Sequence, residues 1–149
     1  MSEVQVPKNQ PVKLTMTHYR QQQHSHEAFI NWIVQDHLPL AIPVFEKYGL
    51  TEYSLFITPS SLNDSLKQAI GESCPTWDFA DFDCFIEYML PSVETVMKIM
   101  SDPDWQIAIK DEDKWVDMPK ALISVGYSTG NLLNKDPAIS LSEHMKLGK

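Results

Sequence analysis

The stretch FDCFIEYML at residues 82–90 alternates between two unlike faces. One carries Phe82, Cys84, Ile86, Tyr88 and Leu90, the other Asp83, Phe85, Glu87 and Met89. Successive strand side chains point to opposite sides, so this pattern fits a strand in a sheet with one buried face and one open face. Three more segments read the same way: VKLTMTHYR at 12–20, LTEYSLFI at 50–57 and ALISVGY at 121–127. In the first of these, Leu14, Met16 and His18 share one face, and Lys13, Thr15, Thr17 and Tyr19 the other.

Helical signals fill the gaps. Ser25 is a natural N-cap, and Glu27 suits the first turn of a helix over 26–48. Phe29, Ile33, His37, Leu40 and Val44 form its inward stripe. Pro39 and Pro43 interrupt it just after His37, and Gly49 stops it. The connection after the second strand is too long to be structureless, and SLKQAIG predicts a short helix ending at Gly71. Ser92 is placed to cap SVETVMKIM, Asp102-Pro103 ends that helix, and DWQIAIKDEDKW restarts as a short helix or turn.

The order is β-α-β-(α)-β-α-(α)-β. Two such halves predict an α+β, ferredoxin-like βαββαβ protomer with antiparallel strands and helices on one face. The opposite sheet face, with Thr15, Thr17, Phe85 and Glu87, needs a cover. A second copy supplies it, which gives a homodimer with two sheets face to face: a dimeric α/β barrel. The domain spans residues 12–130, between flexible termini at 1–11 and 131–149.

Charge narrows the partners. Twelve basic residues against 20 acidic give a net charge of −8. No basic patch is visible, so nucleic acid is not an expected partner. No apolar run is long enough for a membrane span, and the N-terminus lacks a signal-like apolar core. Cys74 and Cys84 are too few for a disulfide framework or a zinc site, so a reducing, cytoplasmic setting is expected.

No standard catalytic signature is present. His24 and His26 sit in a Gln-rich loop and read as solvated, and no metal is expected. His18 lies on an apolar strand face and His37 on an apolar helix stripe, with Asp36 and Trp32 on its flank. Those two faces should meet. Each histidine alone reads equally well as a core residue with one satisfied hydrogen bond. Two histidines in one apolar space point to proton transfer near neutral pH. Trp32, Tyr53, Tyr88 and Trp105 are candidate walls for a flat aromatic ligand, with core packing as the alternative. Asp83 and Glu87 are a carboxylate pair on one strand face, suited either to the ligand or to the dimer contact.

THYR, HEAFINWIVQDHLPLAIPVFEKYGL, PTWDFADFDCFIEY and SVETVMKIMSDPDW together resemble the EthD-like members of the dimeric α/β-barrel superfamily. The spacing from Trp32 to His37-Leu38-Pro39-Leu40 is the most specific piece. Within that group the chain is similar to fungal proteins of aromatic polyketide pathways. The resemblance implies a cofactor-independent lyase that decarboxylates or dehydrates an aromatic polyketide acid such as atrochrysone carboxylic acid. It leaves open a cofactor-free anthrone monooxygenase, a polyketide cyclase or a non-catalytic small-molecule binding module. Plant cyclases of the superfamily carry a catalytic tyrosine and histidine where this chain has Ile99 and Trp105. That acid/base pair does not carry over, and if the chain is an enzyme the proton work is expected of His18 and His37.

Overall fold

The computed structural model describes residues 11–128. The segments expected to be flexible, 1–11 and 131–149, lie outside it apart from Pro11. Strand β1 (Val12–His18) sits between β3 (Cys84–Leu90) and β4 (Leu122–Gly126), and β2 (Glu52–Ile57) borders β3. The order is β2-β3-β1-β4 and all neighbours are antiparallel, as the strand patterns required.

Register explains the two faces. Leu14 lies opposite Tyr88, Met16 opposite Ile86, and His18 opposite Cys84. Tyr53 continues the Tyr88 row into β2. Helices cover this face. The core joins Val12, Leu14, Ile86 and Leu90 of the sheet to Phe29, Ile33, Ala41, Val44 and Phe45. The other face is open. Phe56 is 58% exposed and Leu122 69%, beside a Lys13–Glu87 pair at 3.4 Å.

The first helical segment departs from a simple α-helix. Ser25 caps α1 (His26–Trp32) by accepting the Ala28 N–H at 3.0 Å. Residues Ile33–His37 then form a π-helical turn, closed by the Leu38 N–H bonding back to Ile33 O. Helix α2 (Leu38–Lys47) follows. The break thus lies over Ile33–His37 and ends at His37, whereas the prolines predict one that starts just after it. A proline ring clashes with the carbonyl four residues back, and widening that turn relieves the clash. The wider turn also shifts the inward stripe by one residue. Leu40, expected inside, is exposed, and Ala41 is buried in its place. Gly49 ends α2 at φ 77°, where its N–H reaches Glu46 O and that of Leu50 reaches Phe45 O.

Helix α3 (Ser60–Ile70) begins earlier than SLKQAIG suggested and buries none of its residues. Helix α4 (Glu94–Met100) has Val93, not Ser92, at its cap. Ser92 instead offers its carbonyl to the Thr95 N–H at 3.2 Å. Asp102 caps α5 (Pro103–Ala108) and α6 (Glu112–Trp115) follows. Among the described residues no helix is long and apolar enough to cross a membrane.

Candidate active site

His18 ends β1 on the helix-covered face and is 6% exposed. Burial, aided by the nearby His37, lowers its pKa to about 4. The ring is therefore neutral at physiological pH, and its Nδ1 is buried with no hydrogen-bond partner. His37 is the last residue of the π-helical turn, and its Nδ1–H donates to Ala108 O at 3.1 Å. A carbonyl only accepts, so Nδ1 carries the hydrogen and the neutral ring leaves Nε2 bare. Burial pulls this pKa below the usual histidine value against the opposing effect of the carbonyl bond. The strand face and the helix stripe thus deliver two uncharged imidazoles to one region.

Aromatic rings connect that region to a cavity. His37 stacks on Trp32 at 5.4 Å and meets Trp105 edge-on at 5.9 Å. Trp105 touches Phe45 at 5.6 Å, and Phe45 touches Tyr53 and Tyr88. The cavity, of about 100 Å³, is walled by Leu14, Met16, Phe45, Tyr88, Ile99 and Trp105 among others. Its walls are almost wholly apolar. Yet Tyr53 OH and Trp105 Nε1, like His18 Nδ1, are buried without partners. Burial, then Cys84, keeps the Tyr53 hydroxyl protonated, and burial does the same more strongly for Tyr88. The Cys84 thiol is pushed up to about 12, which makes it a poor nucleophile.

Other candidates lie apart. Asp36 is exposed and borders an outer groove of about 400 Å³ that His37 also lines, whereas neither His37 nor His18 walls the apolar cavity. Trp32 also walls that groove, sandwiched between His37 and Trp115. Asp83 stands one residue before β3 and is 4% exposed. It takes the Arg20 guanidinium at 2.6 Å, the Arg20 N–H at 2.9 Å and the His26 Nδ1–H at 2.8 Å. Burial works to raise its pKa, but these bonds hold it below the usual carboxylate range. A carboxylate engaged in this way fastens the end of β1 to the start of α1 and does not wall the interior cavity. His24, read as solvated, stacks on Trp115 at 3.8 Å. Glu112 escaped the sequence reading. Burial raises its pKa and its charge reaches Tyr88. In the charged run KDEDKW it is indistinguishable from a surface residue.

With this geometry in view, comparison with known proteins is informative. The EthD domain model matches residues 21–119. The chain belongs to the EthD domain family. Dehydratase iacD of Pestalotiopsis fici is 30% identical over 118 residues, covering 79% of this chain and 86% of that one. Decarboxylase AgnL1 of Paecilomyces divaricatus is 24% identical over 124 residues, covering 83% and 82%. Among solved structures, a dabb family protein with a ferredoxin-like fold from Mesorhizobium loti superposes with a TM-score of 0.53 at 11% identity, covering 78% and 94%. The fold of this EthD-domain chain is therefore ferredoxin-like.

The chemistry open to this EthD domain follows from its protonation states. His37 offers an unprotonated nitrogen, Tyr53 and Tyr88 keep their hydroxyl hydrogens near neutral pH, and His18 stays a neutral imidazole that can orient a ligand but is not an acid. That is one base and two weak acids around an apolar space, the set that proton transfer at carbon requires.

Proposed function

We propose that this chain is a cofactor-independent lyase acting on an aromatic polyketide acid, with dehydration as its reaction. One observation carries the reading: His37, in the outer groove, offers an unprotonated Nε2 near a second uncharged histidine and meets edge-on the ring of Trp105, which walls the apolar cavity. His37 takes the proton next to a ring carbonyl, and the C–H electron pair forms the enolate. The enolate expels the hydroxyl on the neighbouring carbon, which leaves as water by taking a proton back from the His37 imidazolium, so that the base is regenerated. Aromatisation drives the step. Relatives named as dehydratases support this.

A second reading, decarboxylation, is favoured by the cavity wall, in which no residue is cationic. A carboxylate held there is unpaired and desolvated, a state relieved when CO2 leaves, the C–C electron pair passes to the ring carbonyl as an enolate, and the carbon then takes a proton from water. Relatives named as decarboxylases are consistent with it. We further propose that the open sheet face pairs with that of a second copy. Mass spectrometry of purified protein with hydroxylated anthrone-type acids separates the readings. Loss of water supports dehydration and loss of CO2 supports decarboxylation. Gain of oxygen, or tight binding without turnover, refutes both.

A further inference from the structure

We propose that the indole N–H of Trp105 is the hydrogen-bond donor to the substrate oxygen that becomes an enolate when His37 takes the adjacent proton, a role resting on the lyase reading above. Tryptophan only donates. A buried indole N–H normally finds an acceptor. That of Trp105 has none, although the residue walls the cavity.

The orientation of Trp105 is fixed from both ends of α5. At the N-terminus Asp102, 3% exposed, accepts from the Asp104 N–H at 2.8 Å. Asp102 is itself held by Lys47 Nζ at 2.7 Å and Tyr48 OH at 2.7 Å, both from the end of α2. At the C-terminus the Ala108 carbonyl accepts from His37 Nδ1–H. The helix that carries the donor therefore also holds the base, with the two rings 5.9 Å apart. Donor and base are set relative to each other before a ligand arrives, which makes a donor effective on a developing oxyanion. When the C–H bond breaks, the proton goes to His37 Nε2 and charge moves to the carbonyl oxygen, where Trp105 meets it. Expulsion of the hydroxyl with a donated proton returns the oxygen to a neutral carbonyl or phenol. The ligand class follows: a flat, apolar ring system with an acceptor oxygen at one edge.

The test compares α-tetralone, a cyclic aryl ketone, with tetralin, the same skeleton without oxygen. Neither has a leaving group, so the readout does not depend on turnover. In proton–nitrogen correlation spectra the Trp105 indole signal, assigned by its loss in Trp105→Phe, moves downfield with α-tetralone and not with tetralin. Trp105→Phe weakens α-tetralone binding about tenfold and leaves tetralin binding unchanged. With substrate, it raises KM about tenfold, as for α-tetralone, and lowers kcat by roughly a further 10² to 10³, because the bond strengthens as the oxygen gains charge. An indole signal unmoved by bound α-tetralone means the N–H is committed to the His37 ring face, and overturns the proposal. Equal α-tetralone affinity in wild type and Trp105→Phe does the same while leaving the lyase reading intact. A cavity that binds neither probe overturns both.

Discussion

Lowering the pH should destabilise this fold through His18 in particular. An exposed histidine in the unfolded chain titrates at 6.5, whereas His18 in the fold titrates at about 4. Between those values the unfolded chain binds a proton that the folded chain refuses. Stability is therefore fully present above pH 6.5 and falls as the pH drops toward 4. A displacement of this size amounts to about 3 kcal/mol in full, of which about 2 kcal/mol is gone by pH 5. With the side chain only 6% exposed, solvent screening relieves little of it. His37, also displaced downward, adds to the loss in the same direction. The assay is urea unfolding followed by tryptophan fluorescence at pH 8 and pH 5, at one protein concentration so that any assembly contributes equally. The same pair of measurements is made on His18→Leu and His18→Gln. Each protein is compared with itself, so any change in intrinsic stability cancels. Both variants should lose about 2 kcal/mol less than wild type on going from pH 8 to pH 5. If they retain the full wild-type pH dependence, His18 is not the buried neutral group described above.

His37→Ala should lower turnover by about 10² to 10⁴ while ligand affinity changes far less, read from steady-state kinetics and a direct binding titration. His18→Ala should also reduce turnover, by loosening the ligand's orientation, and a normal rate in folded His37→Ala would refute the base assignment. Phe29→Ala, which empties a fully buried position under α1, should cost about 3 to 5 kcal/mol in urea unfolding. Light scattering at micromolar concentration should give twice the 17.1 kDa chain mass, and Phe56→Lys on the open sheet face should shift it toward the monomer. A wild-type monomer would remove the paired-sheet proposal.

The strands were legible because a two-residue period survives any detail of packing. The helix-covered rows of β1 and β3 are the residues that alternation selected, His18 included. The convergence of His18 and His37 was legible for the same reason, since each sat on an apolar face that had to be buried. What was hidden depended on a single residue of offset. Leu40 and Ala41 exchange places because the chain winds wider before Pro39, and propensity does not register that turn. Asp83 has the parity of a strand residue, but the strand starts at Cys84 and the carboxylate meets Arg20, 63 positions away. Glu112 differs from its charged neighbours only in what folds over it. No local pattern records those contacts.

The π-helical turn at Ile33–His37 also holds one residue more than an α-helical turn would, since Leu38 N–H bonds five residues back and not four. That extra residue is absorbed in the turn, so Phe29 and Trp32 on one side and Ala41 and Phe45 on the other still face one core. Exposed side chains such as Val34 and Gln35 can drift freely in identity. Deleting one codon here would let the backbone close into ordinary α-helix with both flanks in phase. Adding one would rotate α2 by about 100° and carry Ala41 and Phe45 out of the core. In this part of the gene a one-codon insertion should therefore be far more damaging than a one-codon deletion.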